Sequence, residues 1–252
     1  MKVIKAQKRP YVRAVFAGQG GVGKTTAAVH WSRRGLWVDL DKRIPDDCIE
    51  KCNVLDGITD YATLKSALLS VKAEKVLGYD TIILDTITIA ETMARDYSIV
   101  QDWKGDASNY ADYSKGEKTT LPIHVGVILN ILDQIALTHK CDIILICHSD
   151  IKPVKNPNGE NYDKSILNLT NSIRNRVLQW ADIVGFAWED VKVKKVGMTN
   201  KADSSVRKIS FSNNPNWDAK GPVSLEGEYV LDKDGITIQK VKSILKPVKK
   251  ED

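Results

Sequence analysis

Gly18-Gln19-Gly20-Gly21-Val22-Gly23-Lys24-Thr25 fits the phosphate-wrapping pattern G-x-x-x-x-G-K-[ST] at every position. Glycines at these places let successive backbone N–H groups curl around phosphate oxygens, Lys24 reaches the β and γ phosphates, and Thr25 offers its hydroxyl to Mg²⁺. Thr26 completes the set expected at the phosphates, so the chemistry implied is that of a nucleoside triphosphate with its metal. Asp85 closes the apolar run Thr81-Ile82-Ile83-Leu84 and fits an acid that holds Mg²⁺ through water. Thr86, not a glutamate, comes next, so a water-activating base must come from elsewhere. Asp41 is the first candidate and Asp39 the second, both at the end of the run beginning at Gly35. His148 stands just past another apolar run, Cys141 to Cys147.

Those side chains need a frame. The apolar stretch Val12 to Ala17 reads as a buried strand entering the loop, and a helix should follow over about Lys24 to Arg34, with cations in its last turn and Gly35 as the stop. A chance glycine turn would lack both neighbours. Further buried strands are expected at Gly35–Asp41, Tyr79–Thr86 and Cys141–Cys147, a surface helix at Ala62–Lys75, and a long buried helix at Leu121–Leu137. Residues 94–120 are polar and irregular and carry no assignment. Strands alternating with helices, each apolar on both faces, imply an α/β fold: a mostly parallel sheet with helices on both sides. Ligands then bind at the carboxyl ends of the strands, where Gly18, Asp39, Asp41, Asp85 and His148 all fall.

At 252 residues and 42% apolar content the chain suits one α/β domain with a modest appendage. The expected division is a core over 1–224 and a tail over 225–252, in which Ile238, Val241, Ile244 and Leu245 have the spacing of a short helix before Lys246-Pro247-Val248-Lys249-Lys250. No stretch reads as a membrane span of ~20 apolar residues and the start lacks the apolar core of a signal peptide, so the expectation is a cytoplasmic protein without a membrane partner. Cys48, Cys52, Cys141 and Cys147 have no metal-site spacing and read as small apolar residues.

The net charge of +5, from 37 basic and 32 acidic residues, does not by itself imply nucleic acid. Its distribution is more informative. Lys152, Lys155 and Lys164 share a segment with Pro153, Pro157 and Gly159, a composition suited to a loop that orders on a phosphate backbone. Between Val191 and Lys220 lie Lys192, Lys194, Lys195, Lys201, Arg207, Lys208 and Lys220, opposed by Asp203 and Asp218. Alternation there predicts one basic face and one buried face; the alternative is an ordinary solvated surface. Tyr162, Trp188 and Trp217 are candidate stacking partners for bases, or core residues.

The loop, Asp39-Leu40-Asp41, Asp85-Thr86 and the strand ending in His148 resemble a RecA-type ATPase core, and more closely the phage-encoded AAA/RecA-like ATPases represented by single-strand-annealing recombinase ATPases. Trp217-Asp218-Ala219-Lys220 is similar to a late segment of that family. The resemblance implies a RecA-like P-loop core, slow or DNA-stimulated ATP hydrolysis, ATP and Mg²⁺ as ligands, single-stranded DNA and further copies of the chain as partners, and a single-strand-binding protein as an accessory. It also implies that His148 senses the γ-phosphate for the adjoining loop, and that catalysis involves Lys24, Asp41, Asp85 and His148. Two departures stand out: Asp41 occupies a place where glutamate is expected, and Gly221-Pro222 replaces an arginine, leaving Lys220 to make a contact in trans. Alternative readings are a ParA/MinD-like dimerising switch and a nucleotide-binding module with little hydrolysis. Against the switch, Gln19 stands where its signature lysine would fall, and the 15 positions from Lys24 to Asp39 leave room for a helix of only about ten residues.

Overall fold

The computed structural model describes residues 9–157, 159–196 and 199–246. Six strands run parallel: β1 (Arg13–Gly18), β2 (Gly35–Asp39), β3 (Cys52–Val54), β4 (Thr81–Asp85), β5 (Asp142–Val154) and, after the hairpin strand β6 (Tyr162–Leu167), β7 (Ile183–Val196). Two antiparallel strands, β8 (Thr199–Ser210) and β9 (Glu228–Val230), extend the edge, and β6 pairs antiparallel with β5. The order is β3-β2-β4-β5-β1-β7-β8-β9. This is the mostly parallel sheet of a RecA-like P-loop α/β fold, as anticipated, with β5 interposed between the loop-bearing β1 and the Asp85-bearing β4.

Helices cover both faces. On one side α3 (Tyr61–Ala73), α4 (Ile87–Asp102), α7 (Leu121–His139) and α8 (Asn171–Trp180) press Leu64, Leu68, Ala94, Ile128, Leu132 and Ile173 against Val15, Leu84 and Leu145. On the other, α1 (Lys24–Trp31) and α9 (Ile236–Leu245) pack Ala28, Trp31, Ile238 and Val241 against Phe16, Trp37, Ile144 and Ile209. Three short helices, α2 (Asp46–Ile49), α5 (Ala107–Ala111) and α6 (Lys115–Lys118), lie in the connections.

The structure amends four expectations. First, α1 stops at Trp31 rather than Arg34: Ser32 is extended, and the backbone N–H groups of Arg33 and Arg34 donate to the Asp80 carboxylate at 3.2 and 3.3 Å, which turns the chain into β2. Second, much of the unassigned stretch is helical. Thr86 caps α4 by accepting from the Ile89 N–H at 3.2 Å, and the buried stripe of α4 uses Ala90 and Ala94, small residues with little apolar signal. Third, α7 is long and apolar enough to span a membrane by length and composition, at a mean hydropathy of 1.5; here eight of its residues are buried in the protein core. Fourth, residues 228–245 lie on the chain's own core, through β9 and through α9 against α1. Pro247, Val248, Lys249 and Lys250 fall outside the described residues.

Candidate nucleotide-binding site

The carboxyl edge of the parallel strands gathers the predicted chemistry into one cleft. Gly20, Gly21, Gly23, Lys24, Thr25 and Thr26 form one wall, Asp41 and Asp85 another, and His148 and Arg207 close the sides of a space of about 400 Å³. That volume is within the range of small-molecule sites. Gly18 belongs to β1, where an added Cβ would sit 2.2 Å from the Ala187 carbonyl oxygen of β7, so no larger residue fits. Gly23 caps α1 in the left-handed region (φ 96°) without any side-chain hydrogen bond to the helix's first N–H groups. Those N–H groups thus remain available to an anion, and the helix dipole favours one there. Gln19 contributes its carbonyl and Val22 is buried beneath the loop.

Lys24 is buried, and its Nζ donates to the carbonyls of Gly18 and Gln19 at 3.0 and 2.6 Å. Burial pushes its pKa down while Asp85 pulls it up, with a net lowering. The Thr25 hydroxyl donates to Asp85 Oδ2 at 3.1 Å, linking the loop to β4 across the intervening strand. Asp85 is 5% exposed. Burial raises its pKa to about 6; the Thr25 hydrogen bond and Lys24 oppose the rise, and Asp39 and Asp41 reinforce it. Asp39 and Asp41 add negative charge to that of Asp85 beside the Thr25 hydroxyl, opposed by Lys24 at Asp85 and by Arg43 at Asp41. Hard oxygen donors in that arrangement suit Mg²⁺, which keeps several waters and takes the rest of its ligands from phosphates. Thr25 and Asp85 are the residues that would hold it. No cluster of three or more metal-ligating side chains occurs among the described residues.

The two candidate bases differ. Asp39 accepts from the Lys42 N–H at 2.8 Å and so fastens its own turn, whereas Asp41 lines the cleft. Asp41 Oδ2 is 3.7 Å from His148 Nε2, and its Oδ1 is 3.7 Å from Arg43 Nε. Burial and the Lys24 charge lower the His148 pKa, so the imidazole is neutral near pH 7. Arg43 lines the cleft and was missed from sequence; its place two residues beyond Asp41 was the available signal.

The basic residues do not act as one group. Lys152 and Lys155 are exposed on or just past β5, and Lys192 and Lys194 are exposed on β7. Lys164 instead lies 3.2 Å from Asp218, and Lys208 is tied to Asp190 at 2.6 Å and Glu228 at 2.9 Å. Arg207 points to the phosphate cleft rather than along the ribbon. Lys220 Nζ donates to the Leu178 and Ala181 carbonyls at 3.1 and 2.6 Å, capping the end of α8, and the backbone of Lys220 bridges Val184 early in β7, away from the phosphate edge. The β7–β8 ribbon also lacks the expected buried face in its outer half, where Val191 and Val193 are 44% and 63% exposed. Trp188 and Trp217 stack on one another at 4.8 Å and on Phe186 against the core, while Tyr162 sits exposed on the β5–β6 hairpin. Cys141 and Cys147 are buried, and burial pushes both thiols up to about 12.

Residues 11–223 match the family described as AAA domain. The chain belongs to that family. Among solved structures this AAA domain protein is similar to the crystal structure of the RadB recombinase, at 13% identity, a TM-score of 0.48 and 89% coverage of each chain. No curated protein sequence matches it. P-loop proteins of the AAA domain family generally use ATP and Mg²⁺, and the cleft has the residues for both.

Proposed function

We propose that this AAA domain protein is a slow or DNA-stimulated ATPase of the phage recombination type, acting on single-stranded DNA in the cytoplasm as an oligomer, with an accessory single-strand-binding protein. Lys24 neutralises the β and γ phosphates, Thr25 and Asp85 hold Mg²⁺, Asp41 accepts a proton from the attacking water, and His148 reports the γ-phosphate. The observation that carries the reading is the path of β5. One uninterrupted strand, Asp142–Val154, holds His148 beside Asp41 and then continues into an exposed hairpin bearing Lys152. A group that responds to the γ-phosphate therefore lies on the same strand as a cation suited to a nucleic-acid backbone.

Steady-state ATP turnover with and without single-stranded DNA, for the natural protein and for Lys24→Ala, tests the reading. Turnover should rise with DNA and vanish in the variant. Turnover indifferent to DNA would leave a nucleotide switch or a binding module as the better description.

A further inference from the structure

β5 changes neighbours at the residue that faces the phosphate cleft. β4 ends at Asp85, opposite Ile146 of β5, and the pairing with β6 begins at Ser149, opposite Leu167. Cys147 and His148 thus fall between two ladders, and the main chain of His148 needs other partners on that side. The Thr88 hydroxyl accepts the His148 N–H at 3.3 Å, and the Asn168 N–H donates to the His148 carbonyl at 2.8 Å. Both partners are set by α4. Thr88 is in its first turn, three residues after Asp85. Glu91, the next residue on the same face, is buried and accepts from the Thr170 N–H at 3.0 Å and the Thr170 hydroxyl at 2.6 Å, which fixes the turn that contains Asn168.

We propose that Thr88 is a positioning residue, whose hydroxyl carries movement of Asp85 and the first turn of α4, on binding of nucleotide with Mg²⁺, to the backbone of His148. This rests on the reading above that His148 reports the γ-phosphate to the hairpin. It adds the link by which the metal acid takes part in that report.

The segment between the two ends is stiff. Thr86 is 1% exposed, its hydroxyl accepts the Ile89 N–H at 3.2 Å and its carbonyl accepts the Ala90 N–H at 3.1 Å, while Ile87 is fully buried. Asp85 and Thr88 therefore belong to one packed unit, and displacement of the first displaces the second. Asp85 in turn bonds to Thr25 of the phosphate loop at 3.1 Å, so the path begins where the metal would bind. Thr88 itself stands outside the residues that line the cleft, so it acts through His148 and not on the nucleotide. Its second polar neighbour, the Cys147 thiol at 3.6 Å, is a weak partner and does not compete for the hydroxyl. Valine at this position has the same shape without the oxygen and would leave the His148 N–H unpaired. Serine keeps the oxygen.

The affinity of the full chain for a labelled oligonucleotide, with and without a non-hydrolysable ATP analogue and Mg²⁺, measures the coupling. In the natural protein the analogue should change DNA affinity at least about fivefold, and in Thr88→Val with native circular dichroism the change should fall below about twofold. Thr88→Ser should restore it. An undiminished change in Thr88→Val, or the same loss in Thr88→Ser, overturns the proposal. A natural protein that binds the analogue in calorimetry without any change in DNA affinity overturns the DNA-coupled function as well, and one that binds no analogue overturns the phosphate-cleft reading itself. Hydrogen exchange of the natural protein needs no variant: the analogue with Mg²⁺ should slow the His148 and Asn168 amides at least about threefold relative to the analogue with EDTA. Equal rates under the two conditions overturn the proposal.

Discussion

Asp85 and Asp218 are equally buried, at 5% exposure each, and their environments are opposite. Asp218 receives the Arg174 guanidinium at 2.6 and 2.9 Å, Lys164 at 3.2 Å and the Leu167 N–H at 3.2 Å. Burial pushes its pKa up, but the Arg174 hydrogen bond and charge prevail and hold it below the usual carboxylate range. Asp85 has a hydroxyl, a lysine shared with two backbone carbonyls, and two further acids nearby, and its pKa rises to about 6. A buried carboxylate is tolerable when its counter-charge is within reach. The chain supplies that charge for Asp218 and leaves it incomplete for Asp85, which is the arrangement expected where the missing cation arrives with a ligand.

The largest effect should come from Lys24, whose charge acts on Asp85. Lys24→Ala removes the phosphate contact and should lower ATP turnover by about 100-fold or more, read in a steady-state assay. Breaking the compensated site comes next: Asp218→Asn leaves Arg174 and Lys164 facing a neutral amide, and a loss of about 3–5 kcal/mol is expected. That corresponds to a melting temperature lower by roughly 10 °C in a chain of this size. Wild-type-like melting would mean that Asp218 is not structural.

Asp85→Asn should act in the opposite sense on the nucleotide-free protein. Because the folded pKa of about 6 lies above the ordinary 3.8, the folded state favours the protonated form. The cost of the charge is therefore absent below about pH 4 and complete above pH 6. Asparagine should raise stability at pH 8 by up to about 3 kcal/mol and by nothing at pH 3.5, as followed by thermal melts at the two pH values. The same variant should lose Mg²⁺-dependent nucleotide binding. A destabilised Asp85→Asn at pH 8 would remove the contrast between the two sites.

The smallest effect concerns the exposed lysines. With Lys164 and Lys208 occupied by acids and Arg207 at the phosphate cleft, Lys152, Lys155, Lys192 and Lys194 are the exposed members of the proposed DNA-contacting set. Four contacts to a single strand predict a loss of affinity of about 50-fold between 50 and 200 mM salt, and Lys192→Ala should reduce the logarithmic slope by about 0.7. A titration of labelled oligonucleotide at several salt concentrations measures both.

What could be read from the residues divides along the same line. The phosphate loop, the strands that feed Asp85 and His148 into one edge, and the helix from Ile236 were legible because each is local: a motif, an apolar run or a helical period. The helix from Ile87 was not, because after Ile87 its inward stripe is built from small and polar residues, Ala90, Glu91, Ala94 and Ser98, and its cap is a threonine that reads as part of a loop. Nor were the fates of the basic residues. Lys164 finds Asp218, 54 positions away, and Lys208 finds Glu228, 20 positions away, and charge counts carry no information about such partners. Arg207 and Lys208 are neighbours in the chain on opposite faces of one strand, which sends one to the phosphates and the other to a pair of acids. Asp39 and Asp41 were both candidates for the base, and their different surroundings, the turn at Lys42 for Asp39 and the cleft for Asp41, are not written in their spacing.

The continuity of β5 restricts what kind of motion the protein can use. Its first half is locked in register between β1 and β4, Ile143 against Arg13 and Ile82, Leu145 against Val15 and Leu84. A slip by one residue would exchange the side chains packed into the two cores, Ile143 and Leu145 on one face and Ile144 and Ile146 on the other, so the strand cannot slide. It can only tilt or twist about its anchored end, like a reed clamped at its base. From His148 to Val154 the arm is about 20 Å long at ~3.3 Å per residue, and along Ser149–Val154 it pairs with β6, whose Ile166 and Leu167 are buried. A change of a few degrees beside Asp41 would therefore be magnified to ångströms at the hairpin tip, in a direction set by the sheet's twist.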